Sequence, residues 1–181
     1  MKKYLTDIAP LLLIAGIIVL LDQLSKSVIR ANLPIGQVWH PEWTLSLYAR
    51  LVNVKNYGAA LGILQQMSMV FTILSFVVAA AILYYFPQIP KKDWPVRLAM
   101  CLLLGGAVGN LIDRLYQGYV TDFISLGPFP VFNVADASIS TGVAILFVVM
   151  LWQEFHKTPV QDDEASQEPA AEALSEEARG E

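Results

Sequence analysis

The sequence is short of charge, of cysteine and of histidine. Only 15% of its 181 residues are Asp, Glu, Lys or Arg, while 55% are hydrophobic, and the mean hydropathy is +0.51. A soluble domain of this size usually carries more charge and less apolar surface, which points to a membrane protein. A single cysteine, Cys101, excludes an internal disulfide framework. It lies within an apolar run, where a buried inert thiol is expected rather than a nucleophile. The two histidines, His40 and His156, are far apart and have no second histidine or cysteine nearby. No metal site and no cofactor are expected from such a set. The acids are unevenly placed. Eight of the sixteen follow Lys157, where Arg179 is the sole base, and the remainder carries eleven bases against eight acids, a net of +3. The acidic balance therefore belongs to the tail, and nothing suggests a nucleic-acid partner.

The apolar residues fall into four runs. After a polar start with Lys2 and Lys3, Ile8 to Leu21 carries no charge, and its helical pattern continues to Ile29. No small-x-small cleavage site follows, so a retained membrane helix is expected over about 8–29 rather than a removable leader. A second span is expected over about 65–86, ended by Pro87 and Pro90. A third runs over about 94–112, with Arg97 near its entrance, placed to snorkel to the interface. It contains Gly105, Gly106 and Gly109, and the small-xxx-small spacing of Gly105 and Gly109 favours close helix approach. The fourth covers about 137–155. Between the first two lies a polar segment in which Trp43 to Val54 is rich in strand-forming residues. Trp39, Trp43 and Tyr48 there suit the headgroup level. Tyr116 to Asp136 reads as a second exposed loop. Residues 158–181 are acidic and lack an apolar pattern, and read as a disordered cytoplasmic tail beside a domain of residues 1–157.

The expected fold class is therefore an all-α polytopic membrane protein of four transmembrane helices with a small β-containing extracytoplasmic loop. Lys2, Lys3, Lys91, Lys92, Arg97 and Lys157 flank one face, which the positive-inside rule makes cytoplasmic, with both termini there. Asp22, Lys26, Asn56, Asn110, Asp113, Arg114, Asp122, Asn133 and Asp136 then gather at the outer edge. Ionisable groups converging at one membrane depth are a functional-site signal. Asp122 and Asp136 stand fourteen positions apart, each among apolar residues. If a stiff loop brings them together they would share a proton, one acting as base and the other as acid. The competing reading makes Asp136 a helix cap and Asp122 half of an ion pair. Asp22 and Lys26, four apart on one helix face, fit either site support or a plain helix-end pair.

Five blocks carry a resemblance. Asp22-Gln23-Leu24-Ser25-Lys26 is similar to the D-Q-x-[ST]-K segment of the bacterial lipoprotein signal peptidases (signal peptidase II). Asn56-Tyr57-Gly58-Ala59-Ala60 resembles their N-x-G-A block, and the run from Gly105 to Arg114, with Gly106 and Asn110, resembles G-G-A-x-G-N-x-x-D-R. Val120-Thr121-Asp122-Phe123 and Phe132-Asn133-Val134-Ala135-Asp136 resemble the two blocks that carry the family's catalytic aspartates. The order holds from about residue 8 to 157, and the tail lies outside it.

The resemblance implies an intramembrane aspartyl endopeptidase of the bacterial inner membrane, active at its outer face. It implies Asp122 and Asp136 as the catalytic pair, with Asn56, Asn110, Arg114 and Asn133 positioning the pair or the peptide. Arg114 could equally neutralise a resting carboxylate. The implied substrates are lipidated prolipoproteins, cut just before the diacylglyceryl-modified cysteine, with membrane lipids as further partners and a monomer as the working form. Leu98-Ala99-Met100-Cys101 faintly resembles the substrates' own lipobox, but its place in the third span argues for a packed core cysteine. A small cation-coupled transporter is the rival class. It is disfavoured because the acids gather at one edge and the halves show no repeat.

Overall fold

In a computed structural model of the chain, which describes residues 2–40, 48–58 and 68–156, the apolar runs form helices. These are α1 (Lys2–Asn32), α2 (Ser68–Tyr85), α3 (Trp94–Gln117) and α4 (Val134–Phe155). All four are long and apolar enough to cross a bilayer. In lipid the backbone must satisfy its own hydrogen bonds, which a helix does. Leu13, Ile17 and Leu24 on α1, Phe76 and Val77 on α2, and Phe147 and Val148 on α4 are exposed, leaving apolar faces for lipid. With the three-stranded sheet described below, the architecture is the expected one.

The core follows from two sequence patterns. On α1 the buried residues are Ile8, Leu11, Ala15, Ile18, Asp22, Lys26 and Ile29, a stripe with steps of three and four. It packs on α3, where glycine allows close approach. A Cβ on Gly105 would come within 2.7 Å of the Ile18 Cβ, and one on Gly109 within 2.7 Å of Asp22 Oδ2. Gly106 faces α4 instead, where a Cβ would stand 2.5 Å from the Ala135 carbonyl oxygen. So α3 is sandwiched between neighbours and is the most enclosed of the four helices.

Two helix ends carry detail beyond the apolar pattern. Arg97 is half-buried at the start of α3. It donates to the carbonyls of Phe86 (3.3 Å), Ile89 (2.8 Å) and Asp7 (3.1 Å), and its guanidinium lies 4.0 Å from the Phe86 ring centre. Two of these carbonyls lie where α2 gives way to a 3-10 turn, Phe86–Gln88, and that of Phe86 also accepts the Ile89 N–H at 3.2 Å. The third helix also continues past Ile112 to Gln117. It ends at Gly118, whose φ of 77° suits the left-handed position and whose N–H reaches the Arg114 carbonyl. Asp113 and Arg114 are helical, as their offsets of three and four from Asn110 imply.

The sheet has strands β1 (Val38–Trp39), β2 (Ala49–Asn56) and β3 (Val120–Leu126), antiparallel in that order. Its register sets Val54 opposite Asp122 and Asn56 opposite Val120, after an irregularity between Leu51 and Val54. Residues 116–136 are thus not simply an exposed loop. In β3, Val120, Thr121, Asp122, Phe123 and Ser125 are buried. The strand is enclosed because β2 pairs along it, Phe132 bonds to Phe123 and Ile124, and α1 and α3 pack against it.

The chain divides into two units, Met1–Val149 and Met150–Glu181. Of the second, residues 150–156 are described, and there the Trp152 ring stacks on His156 with centroids 4.0 Å apart. Trp43, Ala59, Ala60 and the acidic tail of residues 158–181 lie outside the described residues.

Candidate active site

Asp136 sits in the first turn of α4, three residues after Asn133. The Asn133 side-chain carbonyl accepts the Asp136 N–H at 2.9 Å, and the Asp136 carboxylate accepts the Asn133 N–H at 3.3 Å. This is a reciprocal cap of the kind that starts helices. It uses one carboxylate oxygen, Oδ2, and leaves Oδ1 to accept the Asn110 side-chain N–H from α3 at 2.7 Å. Capping therefore orients the carboxylate without exhausting it.

Asp122 arrives from β3, next to the helix start. Asn133 Nδ2 donates to its Oδ1 at 2.7 Å, and Asn56 Nδ2, from the end of β2, donates to its Oδ2 at 2.8 Å. Asn56 is itself held by the Gly58 N–H on its Oδ1. One asparagine, Asn133, thus touches both aspartates. Burial, then the neighbouring Asp136 carboxylate, push Asp122 up to about 7, against the opposing pull of Asn56, Asn133 and Lys26. A carboxyl raised in this way beside a second carboxylate can act with it as an acid–base pair.

A second polar layer lies behind them. Lys26 is fully buried and contacts Asp22 Oδ2 at 2.8 Å, Asp113 Oδ2 at 3.1 Å and Asn110 Oδ1 at 3.0 Å. The pairing of Asp22 with Lys26 exists, but it is no surface helix pair. Asp22 Oδ1 also accepts the Ala135 N–H at 2.9 Å, and Asp113 Oδ2 accepts the Thr121 N–H at 3.0 Å. Charges buried at this depth persist only when fully partnered, and here each one is.

In front lies a cavity of about 860 Å³, with Asp136, Asn110, Asn56 and Arg114 in its wall beside apolar Leu74, Leu103 and Ile139. Asp136 faces the cavity directly, and Asn56 links the wall to Asp122. Arg114 stands apart from the amide network. Its guanidinium lies 5.5 Å from the Phe71 ring centre, and its Nε is buried without a hydrogen-bond partner. Gly106 contributes no polar group; its missing side chain lets the start of α4 close on α3.

Three participants were not singled out from sequence as site residues. Gln23 donates to Asp22, to the Gly109 carbonyl and to Asp113. Arg30 pairs with Asp113 at 3.5 Å and donates to the Thr121 hydroxyl at 3.1 Å. Thr121 presents both its N–H and its hydroxyl to that layer. The available signal was helical spacing, since Asp22, Lys26 and Arg30 follow one another at steps of four.

The chain is similar to known proteins over most of its length. The family model for signal peptidase (SPase) II matches residues 14–152. A lipoprotein signal peptidase of Moorella thermoacetica is 41% identical over 147 residues, spanning 80% of this chain and 91% of that protein. One from Streptococcus pneumoniae is 35% identical over 160 residues, spanning 86% and 99%. A solved bacterial membrane enzyme superposes with a TM-score of 0.76 at 32% identity, covering 85% of this chain and 94% of that one. With four spanning helices and matches over nearly the whole length of these relatives, the chain is a bacterial membrane peptidase that belongs to the signal peptidase II family.

Proposed function

We propose that the chain is an intramembrane aspartyl endopeptidase that removes the signal peptide from diacylglyceryl-modified prolipoproteins, cutting just before the lipidated cysteine. The observation that carries this reading is the bridge of Asp122 and Asp136 through Asn133 at the edge of the cavity. Asp122 and Asp136 hold one proton between them. The ionised carboxylate takes a proton from water as its oxygen adds to the scissile carbonyl, and the protonated one donates to the carbonyl oxygen. When the tetrahedral intermediate collapses, the C–N bond breaks and the leaving amine takes a proton from the pair. Asn56, Asn110 and Asn133 hold the carboxylates by neutral N–H donors, which adds no charge to the dyad. Arg114, with an unused donor near the cavity, is placed to meet a peptide carbonyl.

The apolar wall at Leu74, Val78, Leu103 and Ile139 suits a signal-peptide segment or an acyl chain. All the named groups belong to one chain, so a monomer suffices. Lys91 lies 3.4 Å from Asp7, which supports placing the start of α1 and the turn before α3 on the same side. By the positive-inside rule that side is cytoplasmic, with both termini, and the aspartates are at the outer face of the inner membrane. Residues 1–157 form the peptidase domain, and 158–181 a cytoplasmic tail.

The test uses purified protein in detergent. A lipidated prolipoprotein should lose the mass of its signal peptide, while the same precursor without the lipid should be cut far more slowly. Equal cleavage of both would refute the substrate assignment. For orientation, a single cysteine at Gln88 in a background lacking Cys101 should resist a membrane-impermeant thiol reagent in intact cells, and one at Trp43 should react. Labelling at Gln88 would overturn the topology.

A further inference from the structure

Lys26 does more than the charge balance requires. It is an ammonium with three donors and no acceptor, and its partners are Asp22, Asp113 and the side-chain oxygen of Asn110. The two carboxylates suffice for its charge. The third contact goes to a neutral amide, and that contact has a direction. An asparagine side chain can present either its oxygen or its NH₂ to a neighbour, but only the oxygen can meet an ammonium. With Asn110 Oδ1 turned to Lys26, its NH₂ faces Asp136 Oδ1 at 2.7 Å. The same Oδ1 accepts Asn133 Nδ2 at 3.2 Å, and Asn133 Nδ2 also donates to Asp122 Oδ1 at 2.7 Å. Turning Asn110 over would set its NH₂ against Nζ and Asn133 Nδ2, and its oxygen against the Asp136 carboxylate.

The carboxylates that hold Lys26 act on the same two residues from behind. Asp22 accepts the N–H of Ala135, which immediately precedes Asp136. Asp113 accepts the N–H of Thr121, which immediately precedes Asp122. Lys26 joins these two arms and caps the amide chain between them.

We propose that Lys26 is a positioning residue of the reaction. Its buried ammonium fixes the donor direction of Asn110 toward Asp136 and ties together the two backbone clamps that set Asp122 and Asp136. The inference rests on the peptidase reading above. The charged groups around the pair are Asp22, Lys26 and Arg30 from α1 and Asp113 and Arg114 from α3. From β2 the pair meets the neutral Asn56.

Removing Lys26 alone strands Asp22 as a buried charge without a cation, leaves Asp113 with Arg30 at 3.5 Å, and threatens folding. The informative variant is therefore Asp22→Asn/Lys26→Gln, which removes one charge of each sign. Its melting temperature should show a folded protein. Its kcat should fall about 10- to 100-fold, as for misplaced reacting groups, with KM changed less than about twofold. The acid limb of its pH profile should move to higher pH, because a freed Asn110 can turn its oxygen to Asp136 and favour the protonated acid. Lys26→Arg keeps a donor-only cation, and should retain the wild-type pH profile at a lower kcat. A folded double variant with wild-type kcat and pH profile would overturn the proposal, and so would a shifted acid limb in Lys26→Arg. An infrared titration of the carboxyl bands in detergent-solubilised enzyme gives a readout without turnover. The double variant should shift the titration and Lys26→Arg should not. If the wild-type enzyme fails to cut the lipidated precursor, the peptidase reading falls, and the infrared result still decides the role of Lys26.

Discussion

Asn133 and Asp136 cap each other: each side chain accepts the other's backbone N–H, at 2.9 and 3.3 Å. The bond that begins α4 is therefore also the bond that aims Asp136. A helix cap and a site carboxylate look like alternatives in the sequence, but in the fold the capping residue also presents an oxygen to Asn110 at the cavity wall. The spare oxygen of Asp136 receives Asn110, and the spare N–H of Asn133 goes to Asp122.

The double role separates two substitutions at Asp136. Asp136→Asn keeps an oxygen for the Asn133 N–H and should preserve the helix start. Asp136→Ala removes it, and should unfold more easily by about 1 kcal/mol than Asp136→Asn, the usual scale of a lost cap. Thermal unfolding of both variants in the same detergent measures the difference. Equal melting temperatures would show that the cap contributes nothing.

The raised Asp122 sets an alkaline limit. The proposed mechanism needs one proton on the pair, and Asp122 releases its own as pH rises through about 7. The kcat/KM for a lipidated precursor should therefore decline above that value, approaching tenfold per unit. The stability contribution has the matching sign. Asp122 holds its proton more tightly folded than unfolded, so that contribution is complete below the ordinary 3.8 and is lost as pH rises to about 7. A rate still climbing at pH 9 would contradict this assignment.

Two glycines should respond in opposite ways. A methyl at Gly106 meets the Ala135 carbonyl oxygen at 2.5 Å and Ile139 Cγ1 at 2.6 Å, neither of which yields without moving α4. Gly106→Ala should cost about 1–3 kcal/mol by overpacking, and should lower activity by displacing Asp136. At Gly16 nothing lies within 4 Å. Gly16→Ala should be neutral or stabilising by about 0.5–1 kcal/mol, as in an ordinary helix interior. Unfolding curves and cleavage rates of the pair check both.

Chelators should leave activity intact. All four carboxylate oxygens of Asp122 and Asp136 accept N–H donors from Asn56, Asn110 and Asn133. Those amide donors suit proton transfer, and among the described residues no third His, Cys, Asp or Glu joins the pair to complete a metal-ligand set. Loss of activity on treatment with a strong chelator, with recovery on adding zinc, would place a metal in the reaction.

Much of this was legible from spacing. The four helices follow from runs of apolar residues long enough to span, and the alliance of Asp22 with Lys26 follows from their separation of four on a helix. What spacing could not show is depth. That the pair is buried depends on Gly109, which admits Asp22, and on Asp113, which comes from another helix. Arg30 continues the same stripe, yet a terminal arginine reads as a solvated end. Thr121 and Asp122 looked like loop residues, because a strand buried on both faces with three polar side chains has no simple alternation. Their polarity is tolerated because Asp113, Arg30, Asn56 and Asn133 meet them. The partners of Arg97 were hidden for the converse reason: they are backbone carbonyls, which no side-chain pattern reveals.

The most direct measurement is single-turnover cleavage of a lipidated prolipoprotein by Asp122→Asn, Asp136→Asn and the double variant, each shown by its melting transition to be folded. General acid–base contributions are about 10²–10⁴-fold, so each single variant should lose at least that much in rate. Because Asp122 and Asp136 act as one unit, the double variant should be little slower than either single one. Near-wild-type cleavage by folded Asp122→Asn or Asp136→Asn would contradict the account at its centre, leaving the two carboxylates as cap and packing partner only.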